Sequence, residues 1–319
     1  MGSFVRYWAR VGMASLLVTL NSVLHIAPLL LVALVKAATP ARWTRRACDR
    51  ALMAIATCWI GFNSWMFDRL TETRVRVLGL PDPDPGGQML VICNHQTWVD
   101  IPVLQKLFNR RLPLLRFFLK SELFWVPLLG LAWWALDFPF VKRYSRSQIR
   151  RRPELAGRDL AATRKACEKF RRIPVAIVNF VEGTRFTPAK HAAQGSPYKH
   201  LLEPRAGGLG FTLDAMGDLL DTLVDVTIVY PDGPPRLLDL FADRVREIRV
   251  AVRTLEIPAE VREGGYRDDP EARHRIQAWI RRIWREKDET VAELHEGPDL
   301  PREEASLPDD GHGSDGLPP

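Results

Sequence analysis

Two short blocks of the sequence contain residue types that can do chemistry. The first, Asn94-His95-Gln96-Thr97-Trp98-Val99-Asp100, follows an apolar run at 88–93 and opens a helix. An imidazole titrates near neutral pH, so His95 can take a proton from an attacking group. With an irregular first turn, the Asp100 carboxylate can reach one ring nitrogen, fix the tautomer and stabilise the imidazolium. The arrangement is a Ser-His-Asp triad without its serine, which leaves a hydroxyl on the substrate as the nucleophile. The second block is Phe180-Val181-Glu182-Gly183-Thr184-Arg185. Gly183 allows a tight turn. Thr184 offers a hydroxyl, and Arg185 offers a planar fork suited to phosphate. Glu182 can position Arg185 or meet a glycerol hydroxyl. Taken singly, each block is weak. A histidine near an aspartate is more often a capping or core feature, and the second block also reads as a surface turn with an ion pair.

Two basic stretches could hold an anion. One is Asp137-Phe138-Pro139-Phe140-Val141-Lys142-Arg143, leading to Arg146, Arg150, Arg151 and Arg152. Its alternative is a solvated charged face. The other is Pro204-Arg205-Ala206-Gly207-Gly208, a Gly-rich turn before an apolar helix, where backbone amides can approach an anion. Glycine-rich nucleotide loops, the G-x-S-x-G elbow and the H-E-x-x-H zinc motif are missing from the sequence. The cysteines, Cys48, Cys58, Cys93 and Cys167, form no CxxC pair and have no metal-ligand spacing to a histidine. They read as reduced thiols in a cytosol-facing domain, and no metal or cofactor is expected.

Strand-like runs are expected at Arg74–Leu80, Gln88–Cys93, Arg116–Leu119, Val175–Phe180, Val224–Tyr230 and Val245–Val252. Helices are expected over Trp98–Phe108, Glu154–Arg172 and Glu271–Glu293. The last carries Ile276, Trp279, Ile280, Ile283 and Trp284 at helical spacing, a stripe that packs on the body. The aromatic stretch Ser121–Trp134 reads equally as core or as an acyl-chain groove. Alternating strands and helices imply an α/β fold, with a mixed sheet covered by helices. The reactive blocks lie at strand ends, where such folds place their sites.

Residues 11–35 carry no Asp, Glu, Lys or Arg, long enough to cross a bilayer as a helix. A second uncharged stretch follows at 51–67, with Lys36, Arg42, Arg45, Arg46 and Arg50 between the two against Asp49 alone. A spanning hairpin with a cytosolic catalytic domain would put this basic collar outside, against the usual tendency. Two arrangements escape the conflict: the first segment spans with its N-terminus outside while the second lies in the interface, or, as the favoured expectation, both form an N-terminal membrane-embedded helical hairpin dipping into one leaflet, the collar gripping lipid phosphates. For the second stretch, a buried core helix is the alternative. The 319 residues carry 45 Lys and Arg against 38 Asp and Glu, a net charge of +7. From Gly297 onward Asp299, Glu303, Glu304, Asp309, Asp310 and Asp315 face only Arg302, leaving the rest of the chain strongly basic. A basic body suits a phosphate-rich surface. Nucleic acid is disfavoured, because the aromatics cluster with aliphatics rather than with Lys and Arg. The expected organisation is anchoring helices at 1–70, a catalytic domain at 71–296 and a disordered acidic tail at 297–319.

The order of these blocks resembles the glycerolipid acyltransferase family. It runs from Asn-His-x4-Asp at 94–100 to a Phe/Lys-Arg block ending at Arg143. Phe-Val-Glu-Gly-Thr-Arg at 180–185 and an apolar strand ending in Pro231 follow. The branch it looks like contains the 1-acylglycerol-3-phosphate acyltransferases, and the stretch FFLKSELFWVPLLGLAWWALDFPFVKRYSR is similar to bacterial inner-membrane members related to lysocardiolipin acyltransferases. The resemblance implies acyl transfer from acyl-CoA or acyl-carrier protein to a lysophospholipid hydroxyl, giving phosphatidic acid from 1-acylglycerol-3-phosphate. It implies His95 as general base, Asp100 as its orienting partner, and Glu182, Gly183, Thr184, Arg185 and Arg143 as acceptor-binding residues. It also implies a bacterial inner-membrane location with the catalytic domain facing the cytosol. Val181 stands where proline is common, and FPFVKR replaces an FIDR-like form. The rival readings are remodelling or transacylation of other lysophospholipids, and a non-enzymatic phospholipid-binding surface protein.

Overall fold

A computed structural model describes residues 2–82, 84, 86–141, 151, 167, 170–171 and 173–297. Arg143, the expected helix at 154–172 (but for residues 167 and 170–171) and the acidic tail beyond Gly297 lie outside these residues. Two long helices, α1 (Gly2–Ala38) and α2 (Arg42–Leu70), precede β1 (Arg74–Leu78) and β2 (Gln88–Cys93). Then come α3 (Asp100–Phe108), β3 (Leu115–Phe117), β4 (Leu119–Lys120), α4 (Leu129–Ala135), β5 (Phe140–Val141) and β6 (Val175–Asn179). After them lie α5 (Pro188–Gln194), α6 (Ala206–Met216), β7 (Thr222–Val229), α7 (Leu237–Phe241), β8 (Glu247–Glu256), α8 (Ala259–Arg262) and α9 (Pro270–Glu296).

Six strands form one sheet in the order β1-β8-β7-β2-β6-β3. Only β7 and β8 pair antiparallel, so the sheet is mixed. The continuous apolar run of β2 suits a central strand covered on both faces. Its side chains alternate between the two cores: Leu90 and Ile92 face one, Met89, Val91 and Cys93 the other. On the first side lies α9, whose Ile276, Trp279, Ile280, Ile283 and Trp284 are all buried there. The other side holds α3. The strands β7, β2 and β6 run parallel side by side. Their carboxyl ends therefore reach one edge together, with Ile92 level with Asn179 and Cys93 level with Val226. That coincidence builds the site.

Of the described helices, one, over Phe4–Ala38, is long and apolar enough to cross a membrane, with a mean hydropathy of 2.1. The second uncharged stretch belongs instead to α2, which takes Arg42, Arg45, Arg46 and Arg50 of the basic collar into its first turns and buries Cys48, Leu52, Ala56, Ile60 and Met66. The two helices lie against each other. The polar Asn21 within the apolar run is 3% exposed and donates to Asn63 Oδ1 at 2.8 Å and to the Trp59 carbonyl at 3.2 Å. Burying an amide between helices requires such partners. Both ends of α1 also touch the body. Near its start, Arg10 pairs with Asp243, and Arg244 sits 4.1 Å over the Tyr7 ring. At its end, Lys36 bridges Asp49 at 2.6 Å and Asp137 at 3.2 Å.

Candidate active site

At the end of β2, the Asn94 side chain continues the sheet pairing. Its Nδ2 donates to the Ile228 carbonyl at 2.8 Å, and its Oδ1 accepts the Ile228 amide at 2.9 Å. This holds the chain fixed just before His95. The irregular turn expected at 95–99 is present, and α3 begins at Asp100. The His95 Nδ1 lies 2.7 Å from Asp100 Oδ2. A carboxylate accepts only, so Nδ1 carries the proton and Nε2 presents a lone pair. Among the described residues, nothing hydrogen-bonds Nε2. The His95 side chain is 15% exposed, whereas Asp100 is fully buried. The same Oδ2 accepts the backbone N–H groups of Gln96 at 2.7 Å and Thr97 at 3.0 Å, and Oδ1 accepts the Tyr230 hydroxyl at 2.7 Å.

The second block meets the first through the end of β6. The Phe180 ring stacks on His95 at 4.0 Å, and the Phe186 amide donates to the His95 carbonyl at 2.7 Å. Between them the chain turns tightly at Gly183, with φ of +69°. A Cβ there would stand 3.3 Å from Arg205 Cδ, so a side chain is disfavoured twice. The Arg185 guanidinium lies 5.1 Å over the exposed Trp98 ring, a cation–π contact from block to block. Thr184 Oγ1 accepts Lys190 Nζ at 2.7 Å, and the same ammonium reaches the Arg185 carbonyl at 2.9 Å. Arg185, Lys190 and Arg205 form no ion pair among the described residues, so three cations flank the turn uncompensated.

Glu182 departs from the sequence expectation. It is 1% exposed. Its Oε1 accepts the His95 backbone N–H at 3.4 Å, while Oε2 has no partner. Burial pushes its carboxyl up to about 8, opposed by the His95 amide and Lys287. A carboxyl that is neutral near pH 7 adds no negative charge beneath the cations that flank the turn. Cys93, behind the histidine, is also inert, since burial pushes its thiol well above the ordinary range. The described residues contain no His/Cys/Asp/Glu group arranged to hold a metal.

The structure thus brings together His95, Asp100, Glu182, Gly183, Thr184 and Arg185. Sequence reading missed Tyr230 and Lys190. For Tyr230 a signal existed: a phenol ending an apolar strand needs a partner when buried. Chemically, the site offers an imidazole oriented by a buried carboxylate, its Nε2 without a partner among the described residues. Among the described residues it offers no spare nucleophile: the Thr184 hydroxyl accepts from Lys190, and the Thr97 hydroxyl donates to the Pro235 carbonyl.

Residues 74–230, which carry the central strands and the His95–Asp100 contact, match the family model described as Acyltransferase. The chain carries a domain of the acyltransferase family. Among its relatives is the probable 1-acyl-sn-glycerol-3-phosphate acyltransferase 5 of Arabidopsis thaliana, 26% identical over 77% of this chain and 63% of the relative. Lysocardiolipin acyltransferase 1 of Danio rerio is 27% identical over 86% of this chain and 68% of its own length. The chain thus spans about two thirds of each. The fold is also that of the crystal structure of the 1-acyl-sn-glycerophosphate (LPA) acyltransferase PlsC from Thermotoga maritima. There the TM-score is 0.53 at 16% identity, covering 90% of this chain and 97% of that one.

Proposed function

We propose that the protein transfers a fatty acyl group from acyl-CoA or acyl-carrier protein to the free hydroxyl of 1-acylglycerol-3-phosphate, giving phosphatidic acid. The observation that carries this reading is the buried Asp100 on His95 Nδ1, which leaves Nε2 without a hydrogen-bond partner among the described residues. The acceptor hydroxyl gives its proton to Nε2 as its oxygen attacks the thioester carbonyl. Collapse of the tetrahedral intermediate expels the thiolate, which takes the proton back from the imidazolium. The uncompensated cations around Gly183 suit the acceptor's phosphate. The test is incubation of detergent-purified protein with oleoyl-CoA and a panel of lysophospholipids, with products read by mass spectrometry. Phosphatidic acid is the expected product, and no product with either acyl-CoA or acyl-carrier protein would overturn the reading. The similar identity to lysocardiolipin acyltransferases supports one second reading, remodelling of other lysophospholipids; it would show as preference for another acceptor in the same panel.

Arg185 is exposed beside His95's turn, and on this reading its loss removes a charge-assisted contact to phosphate. Arg185→Ala is expected to raise the KM for lysophosphatidic acid about 10- to 100-fold. An unchanged KM in steady-state assays would reject its phosphate role.

The same reading places the protein on a bacterial inner membrane with the catalytic domain facing the cytosol and α1 lying within one leaflet. Docking of both ends of α1 on the body supports this orientation, as does the apolar face that α1 leaves outward, with Leu24 70% and Leu31 63% exposed. Each charge placed in hydrocarbon costs about 2.5–3.5 kcal/mol. The double variant Leu24→Asp, Leu31→Asp is therefore expected to lose most co-sedimentation with phosphatidylglycerol-containing vesicles. Full sedimentation would show that the anchor lies elsewhere.

A further inference from the structure

We infer that Tyr230 is a positioning residue of the acyl-transfer site, its phenol holding Asp100, and through Asp100 the His95 imidazole, from the end of the neighbouring strand. The inference rests on the reading above for its kinetic consequence, but its geometry is independent of it. The Tyr230 ring is 2% exposed and packs in the core beneath the site, so it touches no substrate. Its hydroxyl meets Asp100 Oδ1 at 2.7 Å, the oxygen that does not hold the histidine. The remaining donors to this carboxylate, the amides of Gln96 and Thr97, are local and share Oδ2 with His95. Tyr230 is therefore the only described group that binds Oδ1 and the only one that reaches Asp100 from outside its own turn.

The strand that delivers it is held in register on both sides. Lys287 from α9 donates to the Val226 carbonyl at 2.6 Å and Thr227 Oγ1 at 3.0 Å. Asn94 brackets Ile228, two residues before the tyrosine. Burial, and after it the Asp100 charge, pushes the phenol well above its ordinary range, so it remains a donor. The titratable and charged groups facing Asp100 are His95 and Tyr230 in direct contact, then Cys93 and Glu182, with Lys287 and Asp225 behind them.

A phenol sharing the carboxylate's charge weakens its pull on the His95 proton. Tyr230→Phe keeps the ring and its packing but removes that donor, so the carboxylate draws the imidazolium more strongly. In the full-length, detergent-purified variant, kcat with oleoyl-CoA and lysophosphatidic acid is expected to fall about tenfold. The acceptor KM should stay within about twofold, because no substrate contact is lost. The acid limb of the pH–rate profile should move to higher pH. The low-field Nδ1 proton of His95 in the NMR spectrum, identified by its loss in His95→Ala, should move downfield. Replacing Tyr230 by 3-fluorotyrosine, a stronger donor of the same shape, should move both readouts the opposite way. An acid limb and a low-field proton that stay in place in both variants would overturn the inference, even with a reduced rate or stability. If the parent transfers no acyl group but the proton shifts as stated, the positioning role stands and the functional reading falls.

Discussion

Substituting alanine for His95 is expected to lower kcat for acyl transfer by about 10²- to 10⁴-fold, the usual worth of a general base. The loss should appear in kcat, because an alcohol is a poor nucleophile until its proton is taken during attack. The imidazole that takes it is oriented by one 2.7 Å contact and by stacking on Phe180 at 4.0 Å. Binding should survive, since the cations at Arg185, Lys190 and Arg205 belong to another segment of chain. Folding should survive as well, because the backbone contacts of residue 95 to Phe186 and Glu182 do not need the ring. Steady-state kinetics and thermal unfolding on the same preparation check this. A variant that keeps more than about a tenth of the parent's rate would remove His95 from the base role.

The second large effect falls on the fold rather than on a reacting group. Lys287 is fully buried, 2.7 Å from the equally buried Asp225. On its other side Asp225 meets Arg253 at 2.7 Å, and Arg253 also binds Glu286 at 2.6 Å. Removing one partner of a buried pair leaves a charge in a place without water and typically costs about 3–5 kcal/mol. Arg253 is partly solvated and only partly compensates, so Lys287→Ala is expected to destabilise the fold by about 3 kcal/mol. Urea unfolding followed by tryptophan fluorescence would show this, and a loss below about 1 kcal/mol would mean that Arg253 alone satisfies Asp225. The double variant Lys287→Met, Asp225→Leu should recover much of the loss, because apolar replacement of both partners removes the stranded charge.

Lys287 also illustrates what the sequence does not reveal. It lies in the charged run Arg281–Glu289, which reads as a solvated helix face. Its burial depends on Asp225 from β7, sixty-two residues earlier, and no local pattern pairs the two. The apolar stripe on the same helix was legible because its period of 3.6 is local. The central strand at 88–93 was legible as an unbroken apolar run, and the His95–Asp100 pair followed from spacing within one turn. Tyr230 was not, since the contact spans 130 residues. Glu182 was misplaced for a related reason. Within one block its carboxyl reads as a partner for Arg185 or a glycerol, and only the fold turns it beneath the His95 backbone. The second uncharged stretch reads as membrane helix by composition, yet α2 buries Leu52, Ala56 and Ile60 within the protein. Burial by protein and burial by lipid select the same residue types.

The central claim is direct transfer to a substrate hydroxyl activated by His95, with no acyl group resting on the protein. It is tested most directly by following CoA thiol release from oleoyl-CoA with and without lysophosphatidic acid, together with the intact mass of the protein. Thiol release is expected only when the acceptor is present, in step with phosphatidic acid formation, with an unchanged protein mass. A burst of thiol without acceptor, accompanied by an oleoyl adduct on the chain, would contradict that claim.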